Sequence, residues 1–565
     1  MTSLPNLAAG LTCMLVFLSS CGGGSSSDSA PQPIAPETEP PPQIEPSREE
    51  IAVTSRFTAQ ATFGLTYEGI VEAAQLGNEE WLERQLALAP TRHTPIALDL
   101  VSRRQQGEFA EIEEDVELLV TFRRYSWWHN SITAPDEVRQ RVALALSEIL
   151  VVSDLPDELL LSPLALTTYY DVLLDGAFGN FRDLLRDVSL HPAMGFYLSH
   201  VNNARANPEA NTFPDENFAR EVMQLFSIGL FELNNDGSQQ LAADGLPIPT
   251  YSSIDIREFA KIFTGLSWGG DNGFFGNPEP NFVEPMVMFD EFHEPGEKRL
   301  LRGTVVPAGQ TGIADLDAAI DNLFNHPNVG PFIGRQLIQR LVTSNPSPAY
   351  INRVATVFNN NGDGVRGDMK ATVRAILLDP EAISPTAPDI DGKLREPLVR
   401  SVALLRQLNP ESSDGLFFTS GFFTGSLIGQ HALSSPSVFN FFLPDHMPTG
   451  PLAAAGLFAP ELQITNSTTI TGVTNLVDIA VNGNFVSDVE APFVPFTLNL
   501  TEFETLATDP DALIERLDLI FTYGQMEEAT KAHIASVIGL LDDMALRART
   551  AIYITLISPD YAVRI

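Results

Sequence analysis

The densest group of chemically capable side chains lies in residues 211–228 (NTFPDENFAREVMQLFSI). Written on a helix, Asn217, Arg220, Glu221 and Gln224 fall at i, i+3, i+4 and i+7 and share one stripe, opposite an apolar side made by Phe218, Val222, Leu225 and Phe226. If buried, that stripe must be hydrogen-bonded throughout, and such networks line sites. If solvated, it is an ordinary helix face on which Glu216 and Arg220 form a surface pair. Thr212 and Asp215 fit a capping box that would start this helix.

A second group is HPAMGFYLSHVNN, bracketed by His191 and His200. With Asp187, Glu216 and Glu221 the two imidazoles would offer metal ligands, although a nine-residue separation is not a standard ligand spacing. His191-Pro192 reads equally well as the start of a helix. A third group, residues 290–298 (DEFHEPGEK), supplies His293, several carboxylates and Lys298, a mixture suited to acid–base chemistry or to a polar turn. Asn359-Asn360-Asn361-Gly362-Asp363-Gly364 has the alternating oxygens of a calcium loop, but Ala371 stands where the bidentate Glu belongs, so a connecting turn is expected. Gly265-Leu266-Ser267-Trp268-Gly269 has the letters of a nucleophile elbow. A helical pattern precedes it and a Gly-rich loop follows, which is the wrong context. P-loop, dinucleotide, HExxH and haem-attachment motifs are absent from the sequence.

The elements that must position these groups are mostly helices. Val138, Val142, Leu146, Ile149 and Leu150 share one face after an apparent capped start at Thr133–Asp136. Ile333, Leu337 and Leu341 with Ile338 and Val342 make a broad apolar stripe in 327–343. Comparable periodicity covers 67–88, 111–132, 163–190, 253–265, 313–325, 348–359, 367–379, 393–408 and 525–557. The best strand signal is 463–499, where Thr, Val, Ile and Phe alternate with Asn and Gly breaks. Residues 233–251 and 269–311, rich in Gly, Pro and Asn, read as long ordered loops with small hairpins.

The 565 residues carry 72 acidic and 34 basic side chains, a formal charge of −38. Such a field repels phosphate backbones, so nucleic acid is excluded as a general partner. The two cysteines are Cys13 and Cys21, and the body beyond them has none. Disulfides, thiolate metal sites and cysteine nucleophiles are therefore excluded there. Residues 7–18 (LAAGLTCMLVFL) are too short an apolar run to span a bilayer and suit a signal-peptide core. Leu18-Ser19-Ser20-Cys21 follows and resembles a bacterial lipobox, although residues 1–6 lack Lys and Arg. Lipidation of Cys21 would fix the chain to a membrane in the cell envelope, outside the cytoplasm. The Gly/Ser-rich and then Pro-rich stretch behind it reads as a tether.

Several segments resemble the bacterial family of large exported proteins catalogued as domain of unknown function 1800. They include RFTAQATFGLT (56–66), RVALALSEILVVS (141–153), PDENFAREVMQLFSIGL (214–230), FHEPGEKRLLRG (292–303) and SPSVFNFFLPDHMPTG (435–450). The resemblance runs over nearly everything after the tether. Many members resemble N-E-N-x-A-R-E-x-x-E-L-H at the 215–226 helix. Glu216, Asn217, Arg220 and Glu221 match that pattern, whereas Asp215, Gln224 and Phe226 replace its first Asn, last Glu and His. The kinship also implies an exported sulfatase-like protein as partner.

The expectation is a mainly α protein, with a large multi-helix domain, long loop insertions and minor β content. Residues 1–21 form the signal peptide, 22–48 the tether, 49–460 the main helical domain and 461–565 a smaller C-terminal region packing on it. The expected function is a lipid-anchored, extracytoplasmic binding or assembly module. The alternative is a hydrolase or metal-dependent enzyme. Its catalytic groups would be Glu216, Arg220, Glu221, His293 and Lys298, with Asn217, His191 and His200 as binding groups. No particular cofactor is implied.

Overall fold

Several helices among the described residues are buried almost all round, among them Glu137–Ser147 and Val329–Leu341. In Glu137–Ser147 every residue from Val138 to Ser147 is buried, and in Val329–Leu341 only Phe332 and Arg335 are not. A helix buried on all sides needs neighbours on all sides. Glu137–Ser147 packs on Ala165–Gly176 and on Val329–Leu341, which in turn packs on Pro348–Asn359. Pro348–Asn359 packs on Met369–Leu377, and Asn217–Gln224 on Ser253–Ile262.

The computed structural model describes residues 45–109, 115–270, 273–275, 280–384, 392–419, 422–482 and 493–564. Cys21, the expected lipidation site, and the signal and tether as far as Ile44 lie outside these residues. Residues Glu45–Ile565 are one unit. The fold is mainly α, as expected: 26 α-helices and eight two-residue strands among the described residues. The strands form four antiparallel pairs, and one of them ties Lys393–Leu394 to Val563–Arg564 near the end of the chain. The largest apolar cluster runs from Ile51 to Leu519. A second joins Leu404 and Leu408 to the helices between Val477 and Tyr561. No helix among the described residues is long and apolar enough to cross a membrane.

The described parts of 233–251 and 269–311, expected as long loops, hold short hairpins. Leu266–Ser267 pairs with Val287–Met288, Lys298–Arg299 with Val305–Val306, and isolated bridges join Phe231 to Pro249 and Leu241 to Pro247.

Three local expectations are corrected. Residues Ser467–Val481, inside the strongest strand signal, form a helix. Asn466 caps it by accepting from the amides of Thr468 and Thr469, and Thr469, Gly472, Leu476, Val477, Ala480 and Val481 are buried at helical spacing. Burial of that face overrides the weak helix propensity of its β-branched residues. Thr212 caps no helix; it closes a small loop by bridging Asn207, and the helix starts at Asn217. Thr133 starts no helix: it ends Asp115–Thr133, its hydroxyl donates to the His129 carbonyl at 2.8 Å, and the Asp136 carboxylate before Glu137–Ser147 accepts from the Thr91 amide at 2.9 Å.

Candidate functional site

The three segments that sequence marked for chemistry do pack together. The Gly265 amide donates to the Asn203 carbonyl, the Asp215 amide to Asn203 Oδ1 at 2.9 Å, and the Arg205 amide to the Phe292 carbonyl at 2.8 Å. Many of their polar groups are used inside this packing, while His191 Nε2, His200 Nδ1 and Glu221 Oε2 are buried without a hydrogen-bond partner among the described residues. His191 caps Pro192–Tyr197 through Nδ1, which accepts from the Ala193 amide at 3.2 Å, and burial pushes its pKa down to about 3. His200 donates from Nε2 to the Ser189 carbonyl at 2.9 Å and stacks on Phe218 at 3.9 Å; burial holds its pKa near 4. Neutral, ring-stacked histidines of this kind are core residues. Among the described residues no group of three or more His, Cys, Asp and Glu side chains is placed to hold a metal ion.

His293 and Lys298 meet on a residue that sequence did not single out. Asp315, fully buried, accepts from Gln310 Nε2 at 2.9 Å and from Lys298 Nζ, and lies 3.0 Å from His293 Nε2. His293 Nδ1 donates to the Thr264 carbonyl at 2.9 Å. Burial alone would push the Asp315 carboxyl up, but the donors Lys298, His293 and Gln310 hold it below the usual range. With Lys298 and His293 as buried as Asp315, the cluster clamps the 290–306 loop onto the Gly312–Phe324 helix. The 359–364 stretch is a turn: Asn360 and Asn361 turn their side-chain oxygens onto the amides of Gly362, Asp363, Gly364 and Val365.

In the 217–224 stripe the four residues part company. Glu216 and Arg220 form an exposed pair at 3.7 Å. Asn217 donates its own amide to the Asp215 carboxylate at the exposed start of the helix. Glu221 is buried, which raises its carboxyl against the opposing charge of Arg220. Gln224 accepts from the Tyr251 hydroxyl at 3.0 Å and lines a cavity of about 360 Å³.

That cavity lies between the end of Glu137–Ser147, the end of Asn217–Gln224, one face of Val329–Leu341 and the 438–445 segment. Gly229 makes the corner between helix and wall. Its φ of 72° is left-handed, and an added Cβ would meet the Phe332 ring at 2.7 Å. Leu225, Phe332, Val438 and Phe442 supply apolar walls, with Arg335 and Asp445 also in the lining. Its polar lining includes Glu148, Gln336, Gln339 and Arg340, each more than nine-tenths buried.

Those four side chains carry polar atoms with no hydrogen-bond partner among the described residues: Glu148 Oε2, Gln336 Nε2, Gln339 Oε1 and Arg340 Nε. Each of these atoms has almost no accessible surface, so it lies behind the cavity lining, where an unpaired polar atom costs about 1–3 kcal/mol. Arg340 Nε and Glu148 Oε2 are 3.4 Å apart without hydrogen-bond alignment. Behind them Gln430 Nε2 donates to Glu148 at 3.2 Å and to Glu396 at 2.9 Å, and Arg141 pairs with Glu396 at 3.5 Å. Burial, together with the nearby Glu396 carboxylate, raises the Glu148 carboxyl well above the usual range, while Arg141 helps hold Glu396 low against its own burial.

A family described as protein of unknown function (DUF1800) matches residues 56–563. The chain belongs to the DUF1800 family. Neither curated proteins nor solved structures provide a match. In this DUF1800 chain the matched motif residues Glu216, Asn217 and Arg220 lie at the exposed start of the helix. Gln224, where the resemblance leads one to expect Glu, is the position that reaches the cavity. The sequence did carry a signal for the other polar residues there. Gln336, Gln339 and Arg340 stand at i, i+3 and i+4 on a strongly apolar helix, the same stripe pattern read at 217–224.

Proposed function

We propose that this protein is a binding module, lipid-anchored through Cys21 and working outside the cytoplasm with an exported partner. The observation that carries the binding role is the cavity of about 360 Å³, with apolar walls and the buried side chains of Glu148, Gln336, Gln339 and Arg340 in its lining. Its size and make-up suit a small organic ligand. The anchoring rests on the apolar 7–18 run, the lipobox ending at Cys21 and the tether behind it. The sulfatase-like partner rests on kinship alone.

The binding role is tested with Nile red, an uncharged fluorescent probe for apolar cavities. The body should enhance its emission at a stoichiometry near one, and Val438→Trp, which fills the cavity, should abolish this with the circular-dichroism spectrum unchanged. Equal emission from both proteins would remove the cavity as the site. Labelled palmitate should enter the full chain in a bacterial host and not the Cys21→Ala variant; unlabelled wild-type chain would refute the anchor.

A further inference from the structure

The ribbon that walls one side of the cavity ends in an exposed apolar tip. Residues 230–250 run as three extended passes, each bonded to the other two. The Glu232 amide donates to the Ile248 carbonyl at 2.8 Å, that of Ile248 to Gln240 at 3.0 Å and that of Gln240 to Glu232 at 2.8 Å. One turn of the ribbon is pinned. Asn235 Nδ2 donates to the carbonyl and the side-chain oxygen of Asn352 at 3.2 and 2.8 Å, and Asn235 Oδ1 accepts from Asn359 at 2.9 Å, both on the Pro348–Asn359 helix. The turn at the opposite end, Leu241–Leu246, is exposed at every residue, Leu241 by 59% and Leu246 by 64%.

That tip reads LAADGL, apolar apart from Asp244 and without Lys or Arg. A Cβ added at Gly245 would meet nothing within 4 Å, so the turn stands clear of its surroundings. Much of its backbone is paired from within. The Ala242 amide donates to the Leu246 carbonyl and that of Gly245 to the Ala242 carbonyl, both at 2.9 Å, and the Leu246 amide donates to Asp244 Oδ1 at 3.1 Å. Pro247, next along, has no amide to leave unpaired. Such pairing is what a backbone needs on leaving water. The cavity lining beside the ribbon includes Leu230, Phe439 and Leu443, which are exposed too, so the opening of the cavity is also apolar.

A protein interface of standard size takes about 20–30 residues a side, far more than one short turn supplies. Lipid asks for no matching surface. A body already tethered to a bilayer needs only a weak second contact, because the tether keeps the bilayer at high effective concentration. We propose that the Leu241–Leu246 tip inserts into the interfacial zone of a neutral phospholipid bilayer and turns the cavity opening toward the lipid. This rests on the proposed anchoring at Cys21. Charge selects the neutral surface: the chain carries −38, and an anionic leaflet would repel it.

Beyond Cys21 the chain has no cysteine, so a single new one can report from a chosen place. The full chain with Leu246→Cys, made in a bacterial host, is labelled with the fluorophore NBD and reconstituted on phosphatidylcholine vesicles that carry a shallow doxyl-lipid quencher. The control is Leu540→Cys, at a side chain 84% exposed in the turn before Met544–Ile557. Doxyl lipid should quench the label at 246 and not the label at 540. Leu241→Asp added to the first chain should lower the ratio of inserted to free label by about tenfold, the scale of one leucine side chain returned to water. Vesicles containing phosphatidylglycerol should quench less. Chain that does not float with the vesicles would refute the anchor, and the tip with it. Chain that floats without quenching at 246, or with equal quenching at both positions, would leave the anchor and overturn the tip. Stronger quenching on phosphatidylglycerol would overturn the neutral surface. A label at 246 open to aqueous iodide on vesicles but shielded from it in cells would mean that a protein covers the tip, and would overturn lipid as its partner.

Discussion

A single side chain can sit among catalytic-looking neighbours and do only structural work; His293, Lys298 and Asp315 are the case here. Each is fully buried, each is bonded to the others, and none lines the cavity. Removing one member of a buried charged cluster leaves the others uncompensated, at a cost of about 3–5 kcal/mol. Lys298→Met should therefore lower the unfolding free energy obtained from urea titration by an amount on that order, while Nile red binding at low urea stays at the wild-type level. Loss of probe binding without loss of stability would return the cluster to the list of functional groups. The two oxygens of Glu148 belong to a second buried network: one accepts from Gln430 at 3.2 Å, and the other faces Arg340 Nε at 3.4 Å.

Elements set where these residues meet, and small residues set how closely the elements approach. The helix Ser467–Val481 packs on Phe422–Ile428, and an added Cβ at Gly472 would collide with the Leu427 backbone carbonyl. Backbone cannot step aside as a flexible side chain does. Gly472→Ala should thus destabilise the protein by about 1–3 kcal/mol, read as a lower unfolding midpoint, although Ala is the better helix former in isolation. A neutral or stabilising result would show that this contact is loose. The same region was the strongest strand signal in the sequence. Its Thr, Val and Ile residues favour strands only when a pleated surface is available to hold them, and here the partner is another helix.

At the scale of the whole molecule, burial of ionisable groups ties stability to pH in both directions. His93, His191, His200, His326 and His431 are all buried, and burial is the main reason that each is pushed down, to about 3 for His191 and about 4 for His200 and His326. Unfolded, they would take a proton near pH 6.5. Between that pH and the depressed folded values the unfolded chain binds more protons, so stability falls as pH falls. Buried Glu137, raised by burial to about 7, and Glu148 act in the opposite sense. Folded, they keep protons that the unfolded chain releases above pH 4.5, so their contribution is lost as pH rises through the folded values. The thermal midpoint should therefore drop steeply below pH 4.5, where loss of the depressed Asp315 and Glu396 carboxylates adds to the histidine effect, and decline more gently above pH 6.5. A midpoint flat from pH 6.5 to 3.5 would contradict the burial of these imidazoles.

Composition and periodicity were enough for the mainly helical class, because an apolar stripe at helical spacing has few ways to be buried other than helix on helix. Contiguous motifs carried the family, and the run ending at Cys21 carried the expected anchor. Local patterns went astray at Thr212, which bridges the nearby Asn207 instead of capping, and at 463–499, where contacts made far along the chain decided the outcome. The cavity was out of reach for the same reason. Its residues come from 148, 224–239, 332–340 and 438–445, and each stretch alone reads as ordinary core or loop. Gln336, Gln339 and Arg340 look like blemishes on an apolar helix until Glu148 is placed opposite Arg340. Whether a polar side chain is solvated, paired or left waiting for a ligand depends on what faces it, and that is fixed only when the helices pack.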